Sequence, residues 1–134
     1  MSNVLSYNEG DKLIDVKLDI NNYFNNNCLY IGLLRNNGEW FEPFIDLTVN
    51  IGEETKDYCA FINMNKYPEL KNFLIYNRLG EFTGEVKEIN GYKYHLFRFD
   101  ENKLRNICPE GVDLYERNIE IVTGKRRARF GRVG

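Results

Sequence analysis

The chain contains few of the residues that build disulfide frameworks or metal sites. Its 134 residues include three cysteines and a single histidine, His95. The cysteines (Cys28, Cys59 and Cys108) are odd in number and widely spaced, which indicates free thiols in a reducing compartment. A lone histidine cannot form a histidine-based metal site. We therefore predict a cytoplasmic protein that uses no metal and no cofactor.

The sequence also lacks long apolar runs. None approaches the roughly 20 residues needed to span a membrane, so we expect no membrane helix. The N-terminus has no basic segment followed by an apolar stretch, so we expect no signal peptide. No predicted strand leads into a glycine-rich phosphate-binding loop. Membrane proteins and the common nucleotide-binding enzymes are thus disfavoured.

The apolar content is nevertheless sufficient for one packed domain. Hydrophobic residues make up 43% of the chain, and a chain of this length can bury about two thirds of its unfolded surface. Several stretches alternate apolar and polar residues with period two, which predicts half-buried strands. These stretches are Asp11–Ile20 and Trp40–Ile51. Cys28–Leu34 is predicted to be a short apolar strand, and Ala60–Ile62 a short strand or a buried segment.

Asn90-Gly91 is the strongest local signal, because a two-residue hairpin turn needs positive φ at both central positions. The aromatic-rich stretch Tyr92–Phe99 follows it and carries large side chains on both faces. It is therefore predicted to be a strand in the interior of a sheet, or a strand covered by a helix and a loop. The more polar stretch Glu85–Ile89 precedes the turn and is predicted to lie nearer an edge.

Helical patterns follow the strands. The main helix is predicted to begin at Pro68, which suits a first helical position. Gly80 is predicted to close that helix in a left-handed conformation. Asp100 is predicted to cap a short helix that runs through Cys108, and Pro109 to open a second helical piece.

These elements together predict an α+β fold. We expect a curved, mainly antiparallel sheet of about five strands, with one main helix packed on one face and short C-terminal helices. Residues 1–122 would form a single domain and residues 123–134 a basic, flexible tail. Within the domain, the first ten residues are expected to be a loose end, and Ile119–Val122 to form a last strand.

Charge is distributed unevenly along the chain. The net charge is −2, yet the last twelve residues carry five basic side chains and no acid: Lys125, Arg126, Arg127, Arg129 and Arg132. Such a run can bind nucleic acid through counterion release, without reading sequence. The competing interpretation is a solvated end with no ligand. A gel shift with and without residues 123–134 separates the two hypotheses.

One polar set around the hairpin could support catalysis. His95 as a general base needs a nucleophile and an orienting group nearby. Glu85, Tyr94 and Arg98 are the candidates for those roles. The competing interpretation is a packed, structural histidine. We assign no catalytic residue, and consider an enzyme less favoured than a binding protein.

Three segments resemble domain-of-unknown-function family 4313. They are LGEFTG (Leu79–Gly84), YHLFRFD (Tyr94–Asp100) and CPEGVDLYE (Cys108–Glu116). The resemblance covers roughly residues 12 to 117. The chain departs from the family at Phe82 and His95, where many members have proline. The resemblance implies a small bacterial protein, often carried on conjugative or phage-like elements, and it implies no activity.

From these observations we expect an accessory protein that binds another protein without catalysis. Interference with a host defence system is one role that this expectation allows. The alternatives are nucleic-acid binding through the basic tail and a small enzyme of unknown class. The sequence leaves the partner and the oligomeric state open.

Overall fold

A computed structural model describes residues 3–123 of the chain, and for residues 121–123 it describes the backbone. Eight strands and three helices occupy this range. In chain order they are β1 (Leu5–Glu9), β2 (Lys12–Asn22), β3 (Leu29–Asn36), β4 (Phe41–Asp46), β5 (Thr48–Val49), β6 (Cys59–Ile62), α1 (Leu70–Tyr76), β7 (Gly80–Ile89), β8 (Tyr92–Phe99), α2 (Glu101–Ile107) and α3 (Pro109–Thr123).

The strands form two antiparallel sheets of four strands each. The first has the order β1-β2-β3-β4 and the second the order β5-β6-β8-β7. The predicted α+β class and the antiparallel pairing are confirmed, but eight strands in two sheets replace the expected single sheet of about five. The predicted main helix begins at Leu70 instead of Pro68, and α3 is the longest helix. The predicted strand at Trp40–Ile51 is divided at Leu47, whose N–H donates to the Ile31 carbonyl at 2.9 Å. At this point the chain passes from one sheet to the other.

The alternation in β2 determines its register. Val16, Leu18 and Ile20 are buried, and Leu18 and Ile20 lie opposite Leu33 and Ile31 of β3. A shift of one residue would move this whole apolar row to the solvent face. Each large apolar side chain removed from water contributes about 1.5–3 kcal/mol. Burial of this row therefore specifies a single pairing.

The hairpin at Asn90-Gly91 is confirmed. Both residues have positive φ, 53° and 85°, and the strands on either side pair directly. β8 lies in the interior of its sheet, and β7 is the edge strand. The predictions for Tyr92–Phe99 and Glu85–Ile89 were thus correct.

Two predictions about the chain ends were wrong. Residues 1–10 include the strand β1, in which Tyr7 is 1% exposed and lies opposite Ile14. Ile119–Val122 belongs to α3 and forms no strand. Val112, Tyr115 and Ile119 recur at helical spacing and are all buried, so burial along one face extends the helix.

The role predicted for Gly80 was also wrong. α1 ends at Tyr76, and the left-handed conformation after it belongs to Arg78, with φ of 54°. Gly80 instead opens β7 with φ of 153°, and a Cβ there would lie 2.0 Å from the Arg98 carbonyl oxygen. Glycine is thus required at this position by the close approach of β8. The cap at Asp100 is as predicted, because its Oδ1 accepts from the Lys103 N–H at 3.1 Å.

One continuous core joins the inner faces of both sheets to the three helices. Its largest fully buried side chains include Tyr7, Phe97 and Tyr115. A second, smaller cluster (Cys59, Phe61 and Leu96) lies on the outer face of the second sheet. None of the helices between residues 3 and 123 is long and apolar enough to cross a membrane.

Candidate functional site

The predicted polar residues of β8 are divided between the two faces of the sheet. Tyr94 packs beside the small outer cluster, and Arg98 is exposed on the same face. His95 alternates to the opposite face, where its ring lies edge-on to Phe82 at a centroid distance of 6.4 Å. It is half-buried and lies opposite Val86 of β7. The fold therefore does not bring His95 together with Arg98.

Glu85 and Arg98 do share a cavity. Both line an open recess of about 450 Å³ between the outer face of the second sheet and residues 53–57. We call this cavity the outer recess. Cys59, Phe61 and Leu96 supply its apolar residues.

Glu85 reaches the outer recess because β7 is irregular there. The register shifts between Phe82 and Val86, so three residues of β7 bulge opposite Leu96. The Thr83 hydroxyl donates to the Leu96 carbonyl at 3.2 Å and accepts from the Glu85 N–H at 3.1 Å. Such bulges redirect side chains at sheet edges.

The outer recess contains a thiol of low reactivity. Burial raises the pKa of Cys59 above its ordinary value, although the nearby charges of Arg98 and Lys56 act in the opposite direction. A buried thiol of raised pKa stays protonated at neutral pH and is a poor nucleophile. Cys59 is one of three free cysteines, with Cys28 and Cys108.

Arg98 also borders a second cavity, of about 480 Å³, where the end of α1 meets the start of β7. We call it the arginine groove. Its lining residues are Ile75, Arg78, Gly80, Glu81, Arg98, Phe99 and Asp100.

Charge in the arginine groove is only partly compensated. Arg98 forms an ion pair with Glu81, and Asp100 caps α2. The Arg78 side chain forms no ion pair with any residue in the described range. Ile75 lines the groove and leaves 56% of its surface exposed. Tyr76, the next residue of α1, is 73% exposed but does not line the groove. The groove thus combines an unpaired cation with exposed apolar surface.

Besides the two cavities, the structure contains a cluster of polar residues around Arg105, which was not predicted. Its guanidinium contacts Glu101 at 2.7 Å, Glu116 at 2.8 Å and Asp113 at 3.5 Å. The Tyr58 hydroxyl also donates to Glu116, which is 5% exposed. Burial and the neighbouring Glu116 carboxylate raise the pKa of Tyr58. We call these five residues the Arg105 cluster.

The Arg105 cluster is a structural element. One carboxylate oxygen of Glu116 accepts from both Arg105 and Tyr58, so the buried charge is compensated within the fold. The Tyr58 N–H in turn donates to the Tyr115 hydroxyl at 3.1 Å. The spacing of Glu101 and Arg105, four residues apart on a helix, was a signal that sequence reasoning could have used. The approach of Tyr58 was not visible in the sequence.

The remaining sequence predictions concern the tail and metals. Lys125, Arg126, Arg127, Arg129 and Arg132 lie outside the described residues, so nucleic-acid binding through them stays a prediction. Within residues 3–123, no group of three or more histidine, cysteine, aspartate or glutamate side chains could hold a metal ion.

Comparison with known proteins identifies the family. A family profile described as Domain of unknown function (DUF4313) matches residues 17–119, which is most of the chain. The chain belongs to the DUF4313 family. No curated protein and no solved structure matches this DUF4313 member significantly. The matched range extends from β2 into α3, so it includes both cavities and the Arg105 cluster.

Proposed function

We propose that this DUF4313 member is a non-enzymatic accessory protein that binds another protein through the arginine groove. The observation that carries the proposal is the exposed apolar surface of Ile75 beside the charge of Arg78, which forms no ion pair among residues 3–123. Arginine is one of the residue types enriched among those that dominate binding energy at protein interfaces.

The composition of the groove favours a particular kind of partner. An acidic side chain could pair with Arg78, and an apolar neighbour could cover Ile75. Arg98 already pairs with the Glu81 carboxylate. Its role would therefore be to position a ligand, and Arg78 would neutralise the ligand's charge. We therefore propose a partner segment in which a carboxylate lies beside an apolar or aromatic side chain.

The biological setting is part of the same proposal. We propose that the protein acts in the cytoplasm of a bacterium, encoded by a mobile element, and that its partner is a host protein. Interference with a host defence system is one outcome of such binding. The free cysteines support a reducing compartment.

Affinity capture from host lysate tests the proposal. The tagged full chain is compared with Arg78→Glu and with the control Arg117→Glu, which changes an exposed arginine on α3. We expect at least one protein to be retained by the wild type and by Arg117→Glu, and lost with Arg78→Glu. No specific partner, or equal recovery by both variants, would contradict the proposal.

A further inference from the structure

The most exposed aromatic side chain of the described residues lies on a loop that does not line the arginine groove. Phe24 is fully exposed in the loop between β2 and β3, residues 23–28, which we call the asparagine loop. No charged residue occurs between Ile20 and Leu34. The loop thus presents one aromatic ring among uncharged amides, a composition typical of a contact surface.

Hydrogen bonds hold the asparagine loop in one conformation. The Tyr23 N–H donates to the Cys28 carbonyl at 2.8 Å, and the Asn27 N–H donates to the Tyr23 carbonyl at 2.9 Å. Asn50 accepts from the Asn26 amide at 3.1 Å and donates to Asn25 at 2.8 Å. Because these bonds already order the loop, little conformational freedom is left to lose on binding.

The outer recess lies next to this loop. Residues 50–57 border both, since Asn50 bonds to the asparagine loop and residues 53–57 form one wall of the outer recess. Cys28 also contacts the Glu53 carbonyl at 3.7 Å. A cavity of about 150 Å³ can hold benzene. The outer recess, at about 450 Å³, has room for a phenylalanine side chain.

We propose that two copies of this chain associate through a two-fold axis, with Phe24 of each copy inserted into the outer recess of the other. A projection and a cavity that lie side by side form a self-complementary surface, as a closed dimer requires. The apolar residues Cys59, Phe61 and Leu96 would contact the ring.

Charge favours a second copy over other occupants. The charged residues that line the outer recess are four acids and two bases: Glu53, Glu54, Asp57, Glu85, Lys56 and Arg98. Glu53 also pairs with Lys87 at 3.4 Å, and the rim remains acidic on balance. Carboxylates accept hydrogen bonds from asparagine amides but repel the phosphates of nucleic acids and lipid headgroups. An uncharged loop also enters this rim without desolvating a charge of its own.

Sedimentation velocity of the full chain over a range of concentrations tests the dimer. We expect a concentration-dependent dimer for the wild type and a monomer for Phe24→Ala. The control Tyr92→Ala, which removes an exposed aromatic ring elsewhere, should leave the dimer intact. Circular dichroism confirms that each variant is folded.

A mixing experiment tests the reciprocal geometry. Glu85→Trp blocks the outer recess and retains the loop, while Phe24→Ala retains the recess and lacks the ring. Each alone should be monomeric, whereas their mixture should form a dimer with one restored contact. The proposal is overturned by a monomeric wild type, a dimer that survives Phe24→Ala, open-ended larger species, or a mixture that stays monomeric. Loss of the dimer should leave capture through Arg78 unchanged, so the two proposals fail separately.

Discussion

Two arginines in this fold, Arg105 and Arg98, have opposite surroundings. The Arg105 side chain is 28% exposed and contacts three carboxylates. One of these, the carboxylate of Glu116, is almost fully buried. The Arg98 side chain is 59% exposed and pairs with Glu81, which is itself 65% exposed. An exposed ion pair contributes about 0.2–1 kcal/mol. Breaking a half-buried network costs more stability, because removing one partner leaves an uncompensated charge inside the protein.

The difference separates structural polar groups from those available for binding. The donors of Tyr58 and Arg105 are used inside the fold, at the junction of α2, α3 and the loop before β6. Arg98 and Arg78 face cavities open to solvent. The same residue type is therefore enclosed in a polar network in one region and open to solvent in the other.

Removal of Arg105 should have the largest effect. Arg105→Ala leaves the buried carboxylate of Glu116 without its cation, and we expect a loss of about 3 kcal/mol in the free energy of unfolding. Urea unfolding at neutral pH measures it. The exposed control Arg117→Ala should change stability by less than about 0.5 kcal/mol. Equal, small losses in both variants would show that the Arg105 cluster is not structural.

Alkaline pH should reveal the role of Tyr58. Its folded-state pKa is raised by burial and by the Glu116 carboxylate. Above about pH 10, where an unfolded tyrosine ionises, the unfolded state loses a proton that the folded state keeps. The contribution of Tyr58 is thus complete below that pH and is lost as the pH rises. We expect Tyr58→Phe to reduce the downward slope of stability by up to about 1.4 kcal/mol per pH unit.

This slope is measured by urea unfolding of both proteins at a series of alkaline pH values. At neutral pH, the same variant should lose about 1 kcal/mol, because one hydrogen bond to Glu116 disappears. This loss at neutral pH does not depend on tyrosine ionisation, so the change in stability at alkaline pH is measured relative to it. Identical slopes in wild type and Tyr58→Phe would refute the assignment.

The smallest effect on stability is expected for the exposed Arg98. Arg98→Ala removes only a solvated ion pair with Glu81, so we expect stability to fall by less than about 1 kcal/mol. High salt should reduce the difference further, because exposed charges are screened. A loss as large as that of Arg105→Ala, in parallel urea unfolding, would show that Arg98 is a structural residue.

Local signals allowed much of the fold to be predicted. The Asn90-Gly91 turn and the Asp100 cap depend on a few neighbouring residues, and both were correct. β1 was missed because only Leu5 and Tyr7 mark it as apolar, while its stability comes from pairing with β2. The end of α3 was missed because Ile119–Val122 is a short β-branched run, although burial along one helix face decides its conformation.

The candidate sites were less predictable than the fold. Alternation along β8 already separated His95 from Tyr94 and Arg98, so that part of the arrangement was visible in the sequence. The position of Glu85 depends on a bulge that arises only from pairing with β8. The approach of Arg78 to Arg98 joins the end of α1 to the end of β8. Contacts between distant segments carry no local signal.

The central claim is that the arginine groove binds a protein partner without contributing to stability. Titration of the captured partner against Arg78→Glu and Arg117→Glu, both shown to unfold like the wild type, tests it most directly. We predict that Arg78→Glu weakens binding by about tenfold or more, equivalent to about 1.4 kcal/mol, while Arg117→Glu binds like the wild type. Equal affinities of the two variants for that partner would contradict the claim.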